Sequence, residues 1–307
     1  MPTSFRRGPL TALLALLAAC AGCSSDAGCP SAQTGAAQDA PIAVLGAMPS
    51  ELAPLLDRAT IDDVQVIDGR VFHAGTLGGA RVIVAMTGIG LVNATATAQL
   101  LLERFAVRGV VFSGVAGSPH RIADVTVPLE WSQPGGPSLP VDEGWLALAR
   151  DVADRQPALE RCTPVPPDDP AAELVCLPFA PAIFVSGRGE SSDAYGGKPI
   201  VCRPGAGDVF GCDPDLPAAV AATAAADDEV TVDMETAAVA AEAAARGLPF
   251  LAFRAVSDGA EDPLGLPGFP SQFFAYYRLA AENAAIAAAE FLGALSAADA
   301  ADAPRCS

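Results

Sequence analysis

The sequence predicts an α/β fold built as a single domain, and three observations carry that prediction. Short apolar runs of strand length (Ile42 to Met48, Gly109 to Phe112, Phe250 to Val256) alternate with longer helical stretches such as Val92 to Phe105 and Ala237 to Arg246. Turn residues punctuate them: Gly46 closes the first strand, and Gly247 with Pro249 stops the alanine-rich helix. At 307 residues and 51% hydrophobic content, the chain has room for one large core, and no internal repeat divides it.

The first 20 residues read as an export signal. Arg6 and Arg7 give a positive start, Leu10 to Ala19 is an apolar run too short to span a bilayer, and small residues precede Cys20. Residues 21–40, rich in Ser, Ala, Gly and Asp, read as a flexible tether. The folded domain is expected over 41–297, with 298–307 as a tail.

Within that domain the elements follow from local chemistry. Ile42 to Met48 is a buried-strand run, and Glu51 falls in the first turn of a helix starting near Pro49-Ser50, where the helix dipole favours an acid. Val71 to Leu77 and Arg81 to Met86, joined at Gly78-Gly79, predict a hairpin, with His73 on it as a surface or structural residue rather than a catalytic one. Thr87-Gly88-Ile89-Gly90 then leads into a helix. Strand, glycine turn and helix start together make a nest of N–H groups suited to an anion or a sugar hydroxyl. Gly109 to Phe112 opens into a second glycine loop, Ser113-Gly114-Val115-Ala116-Gly117. Trp131 to Ala182, with a helix at Val141 to Ala153 and a Pro/Asp-rich stretch at Pro164 to Pro170, is expected as a surface insertion and not a second domain. A last helix spans about Ser271 to Leu295 and starts with Phe273, Phe274, Tyr276 and Tyr277.

The most informative stretch is Val232-Asp233-Met234-Glu235-Thr236. It opens the helix Ala237 to Arg246, and the strand after that ends in Ser257-Asp258-Gly259. A carboxylate at a helix start and another at the next strand's C-terminal end can meet over one sheet edge, where open α/β sheets bind ligands. Met-Glu before a small-residue helix, then Arg254 to Asp258 as Arg-Ala-Val-Ser-Asp, resembles the nucleoside phosphorylase and nucleosidase superfamily. The nearest branch is the methylthioadenosine/S-adenosylhomocysteine nucleosidases. Ile42 to Met48 followed by Glu51 resembles that branch's first strand and catalytic glutamate, and the loops at Thr87 to Gly90 and Ser113 to Gly117 resemble its two glycine loops. The resemblance covers roughly residues 41 to 295. It implies a three-layer αβα sandwich around a central mixed sheet.

It also implies a site and a reaction. Cleaving an N-glycosidic bond leaves positive charge on the sugar and negative charge on the departing purine. Asp258, beside Ser257, is assigned as the acid toward the base. Glu51 is assigned as the base that activates water on the other face of the sugar, and Glu235 as the grip on the 2′ and 3′ hydroxyls with Met234 packed on the ribose. This is the two-carboxylate logic of inverting glycosidases with a nitrogen leaving group. Thr87, Gly88, Ile89 and Gly114 would line the sugar, and Phe274 would help wall the 5′ substituent. Ser191-Ser192-Asp193-Ala194-Tyr195 resembles the family's Ser-Gly-Asp-x-Phe segment, with Tyr195 as the ring that stacks on the purine; Ser192 and Gly196 depart from that pattern. No arginine stands beside either glycine loop in the sequence, which favours water over phosphate. A phosphate-dependent phosphorylase and a nucleoside-binding protein without turnover are the alternatives.

The remaining expectations concern surroundings. A net charge of −18, or −20 without residues 1–20, makes nucleic acid and anionic membrane surfaces poor partners. Leu17-Ala18-Ala19-Cys20 resembles a bacterial lipobox, implying lipidation at Cys20, with the lipid as the sole membrane contact and the protein held at the envelope. The other cysteines show no zinc-like spacing and accord with disulfides in an exported chain; Cys162 with Cys176 and Cys202 with Cys212 are near neighbours, and the connectivity stays open. No metal or redox cofactor is required by the chemistry, and the resemblance suggests a homodimer.

Overall fold

A computed structural model describes residues 40–167, 169–192 and 230–302. Cys20, Tyr195, Cys202 and Cys212 therefore lie outside the described residues. In chain order the elements are β1 (Ile42–Gly46), α1 (Pro49–Arg58), β2 (Thr60–Ile67), β3 (Arg70–Leu77), β4 (Ala80–Met86), α2 (Leu91–Arg104), β5 (Gly109–Gly117), β6 (Val125–Thr126), β7 (Glu130–Ser132), β8 (Leu139–Pro140), α3 (Glu143–Asp154), β9 (Cys162–Val165), β10 (Glu173–Cys176), β11 (Ile183–Phe184), β12 (Arg188–Ser191), β13 (Val230–Asp233), α4 (Thr236–Ala244), β14 (Phe250–Asp258) and α5 (Ser271–Asp302).

The central sheet is mixed. Its main path runs β2-β3-β4-β1-β5-β13-β12-β7-β8, and beyond β5 it forks, because β14 also pairs with β5 and carries β6 and β11 on its other side. Strands β4, β1, β5 and β14 are mutually parallel, so their C-terminal ends share one edge. Helices α1 and α3 pack on α5 on one face, while α2 packs on α4 on the other, giving the three-layer arrangement. β1, β5 and β14 are buried almost throughout, which explains why they read as unbroken apolar runs rather than alternating ones. On α5, Ala280, Ala284 and Ala288 are fully buried, and such small residues let a long helix sit close on the sheet, alongside the buried cluster of Trp145, Phe253 and Phe291.

Two expectations need correction. The sequence reading omits β2, whose pattern is nearly all exposed (Val64 is 50% and Val66 69% accessible), so no buried face announces it. Residues 131–182 also do more than cover the surface. Trp131 is fully buried, and α3 buries Trp145, Leu146, Ala149 and Val152 in the main core. The β9–β10 hairpin is the peripheral part, with Cys162 opposite Cys176 and joined to it by a disulfide.

Candidate active site

The site is built at the C-terminal edge of β1, β5 and β14. Pro49 begins α1, a position where its missing N–H costs nothing and its fixed φ suits the helix. Glu51 follows as the third helical residue, and its Oε2 accepts from the N–H groups of Ala47 and Met48, so it caps its own helix. The same carboxylate reaches across to β5, where Oε1 accepts from Val115 N–H at 2.8 Å. Glu51 is 1% exposed, and burial pushes its pKa upward; the Arg254 charge and the three backbone N–H groups work against that rise.

Arg254 comes from the middle of β14 and is 2% exposed. Its Nε lies 3.1 Å from Asp233 Oδ2, a charge contact rather than an aligned hydrogen bond, and its Nη2 lies 3.5 Å from Glu235 Oε2. The guanidinium carbon is 4.9 Å from the centroid of Phe112. Nη1 is buried with no acceptor among the described residues. Gly114 is where Glu51 and Arg254 converge: a Cβ there would stand 2.3 Å from Glu51 Oε1 and 2.5 Å from Arg254 Nη1.

Glu235 precedes α4 and is 3% exposed. Its Oε1 accepts from Gly90 N–H at 2.8 Å, tying it to the first glycine loop. Gly90 makes this possible with φ of +91°, a backbone conformation that glycine adopts freely. Burial raises the Glu235 pKa, and so do the nearby Asp233 and Glu51 charges, with Arg254 opposing. Thr87 is fixed rather than free: its N–H donates to Gly46 O at 2.8 Å, and its carbonyl accepts from Thr97 Oγ1 and Arg70 Nη1. Ile89 is buried, Gly88 adopts φ of +81°, and Met234 is half-buried against the main core.

Asp258 forms the second station. It ends β14 opposite Gly117, past an irregularity in the strand register, and a Cβ on Gly117 would lie 2.9 Å from Asp258 Oδ2. Burial raises its pKa, while the Ser257 hydroxyl, donating at 3.0 Å, favours the ionised form. Gly114 and Gly117 are three residues apart on β5, so the stations are separated by roughly 10 Å along the strand. A cleft of about 430 Å³ opens at Asp258, walled by Pro119, Val230, Val232, Pro267 and Phe269.

The structure thus gathers Glu51, Glu235 and Gly114 around one buried cation, sets Thr87, Gly88 and Ile89 in the adjoining loop, and puts Asp258 at the cleft with Ser257 buried behind it. Phe274 is not among the residues lining that cleft. It is 47% exposed and touches Phe273 edge-on, and Phe269 supplies the cleft's aromatic ring. The expectation of no arginine beside either glycine loop is overturned, since Arg254 lies against Gly114 and Arg70 donates to Thr87 O at 3.1 Å. Proximity in sequence was the wrong test. The usable signal was a lone cation inside an apolar strand, which folding must pair with buried acids.

With that geometry in place, comparison with known proteins gives a family. A model of the phosphorylase superfamily matches residues 41–293. The chain belongs to the phosphorylase superfamily. An uncharacterized protein of Mycobacterium tuberculosis is 39% identical over 185 residues, covering 56% of this chain and 75% of that one. The 5′-methylthioadenosine/S-adenosylhomocysteine nucleosidase of Shewanella putrefaciens is 31% identical over 229 residues, 72% of this chain and 87% of that enzyme. In fold, the chain is similar to the 5′-methylthioadenosine/S-adenosylhomocysteine nucleosidase of Colwellia psychrerythraea solved with adenine. There the TM-score is 0.58 at 23% identity, over 83% of this chain and 96% of that one. The mixed sheet with helices on both faces is thus shared in fold with that enzyme.

Proposed function

We propose that this chain hydrolyses the N-glycosidic bond of a purine nucleoside, releasing the free base and a ribose derivative. The observation that carries the reading is Glu51. Its carboxylate is held by three backbone N–H groups against β5, beside Arg254 and Glu235, with Asp258 one station along the same strand. Glu51 is the base that activates water, and Asp258, which burial keeps protonated to higher pH than an ordinary aspartate, is the acid toward the purine. Glu235 grips the sugar hydroxyls, with Arg254 beside it. One carboxyl group activates water and the other protonates the leaving group, the division of labour of inverting glycosidases. The substrate class we favour is a methylthioadenosine- or S-adenosylhomocysteine-like nucleoside, or a scavenged purine nucleoside met outside the cytoplasm. The likeness to the Shewanella enzyme supports the first.

One observation favours a phosphate-dependent reaction instead: Arg254 Nη1, beside a glycine loop, is a buried donor with no acceptor among the described residues. Against it, the N–H groups of Ala47, Met48 and Val115, which would otherwise bind an anion, already hold Glu51. Base release from a nucleoside panel, measured with and without inorganic phosphate, separates the two. Hydrolysis gives equal rates in both conditions; release confined to the phosphate arm overturns it. As part of the same proposal, residues 1–20 direct export, Cys20 carries a lipid that holds the enzyme at the envelope, and two copies associate as a homodimer.

A further inference from the structure

Glu235 and Arg254 do not place each other. Their contact is the longer of the two that Arg254 makes, 3.5 Å against 3.1 Å to Asp233. Asp233 ends β13, and its side chain is 1% exposed. Oδ1 accepts from the Ser191 hydroxyl and from the N–H groups of Glu235 and Thr236, both at 3.2 Å. Oδ2 accepts from the Thr236 hydroxyl and faces Arg254 Nε. Ser191 ends β12, is fully buried, and its oxygen in turn accepts from Ala237 N–H at 2.8 Å.

One carboxylate therefore collects hydrogen-bond donors from the end of β12 and the start of α4, and a charge contact from the middle of β14. A buried charge is tolerated when donors surround it this fully. By contrast, among the described residues the Glu235 side chain takes one N–H, from Gly90, and the longer Arg254 contact.

We propose that Asp233, oriented by Ser191, is a positioning residue of this site. It holds Arg254 and the first turn of α4 so that the Glu235 carboxylate stays available to sugar hydroxyls. The inference rests on the hydrolase reading above and deepens it, since neither side chain needs to touch substrate.

The test measures kcat and KM for 5′-methylthioadenosine with the full chain, as wild type, Ser191→Ala, Asp233→Asn and the double variant, each normalised to its folded fraction by thermal unfolding. Ser191→Ala lowers kcat/KM about tenfold, the size of one lost hydrogen bond to a charged group. Asp233→Asn lowers it about 100-fold, as expected for reacting groups displaced by an ångström. The double variant falls no further than Asp233→Asn, because Ser191 acts through Asp233. Wild-type kcat/KM in Ser191→Ala overturns the proposal, whatever the stability of Asp233→Asn, and so does an additive double variant. If the wild type gives no turnover, calorimetric affinity for adenosine is read on the same four proteins. The same ranking of losses supports the positioning role, and equal or absent affinities overturn it. Absence of turnover by itself counts against the hydrolase reading alone.

Discussion

Replacing Gly114 with alanine puts one methyl group where the reaction is assigned. The new Cβ would lie 2.3 Å from Glu51 Oε1, 2.6 Å from Glu51 Cδ and 2.5 Å from Arg254 Nη1. Ordinary contact begins near 3.4 Å, so the Glu51 carboxylate and the guanidinium must each retreat by about 1 Å. Neither has an easy route, because Glu51 is pinned by Ala47, Met48 and Val115 and Arg254 by Asp233. A displacement of that size costs about 10²-fold in rate when it separates reacting groups, which is about 2.7 kcal/mol of transition-state stabilisation. Overpacking adds a stability loss of about 1–3 kcal/mol. The assay is base release from a nucleoside at saturating concentration, with thermal unfolding of the same sample. A folded Gly114→Ala protein with the wild-type kcat would refute the placement of Glu51 and Arg254 at the reacting centre.

Asp258→Asn should fold and retain nucleoside affinity by calorimetry, while kcat drops about 10²–10⁴-fold, the usual contribution of one acid–base group; an unchanged kcat removes Asp258 as the acid. Wild-type kcat/KM should fall on the alkaline side as Asp258 loses its proton, at a pH above the ordinary aspartate range because burial raises its pKa; the limb should vanish in Asp258→Asn. Glu235 titrates near 4.5 when unfolded and is pushed up to about 8 in the fold, so the folded state binds the extra proton and stability declines as pH rises between those values. The unfolding midpoint of Glu235→Gln should therefore gain on the wild type from pH 5 to pH 9, and a constant difference would contradict the buried, proton-holding glutamate. Removing the disulfide with Cys162→Ser and Cys176→Ser, which are 14 residues apart, should lower stability by about 3 kcal/mol on the chain-entropy account. Since the cleft at Asp258 is lined by no residue of β9 or β10, kcat should hold; a collapse of kcat in folded protein would link the hairpin to the site.

Much of the fold was legible because the elements that matter are buried on both faces. β1, β5 and β14 show as apolar runs, and the turns after them are marked by Gly46, Gly117 and Asp258. β2 was illegible for the opposite reason: an exposed edge strand carries no pattern of burial. The segment 131–182 was misjudged because its prolines and aspartates masked Trp131 and α3, whose buried residues are spread thinly along it. In the site, Glu51, Glu235 and Asp258 could be found from their places at helix starts and a strand end. The order of contacts around Arg254 could not, because it depends on β14 lying alongside β5 and on Asp233 arriving from β13, pairings that no local spacing encodes.

The most direct test of the central claim is the fate of the sugar's anomeric carbon. Cleavage of a purine nucleoside in ¹⁸O-labelled water without phosphate should yield free base and a sugar carrying one labelled oxygen at C1, with the label absent in Glu51→Gln because no product forms. A sugar phosphate formed only when phosphate is supplied, or wild-type labelling in Glu51→Gln, would contradict the assignment of Glu51 as the base that activates water.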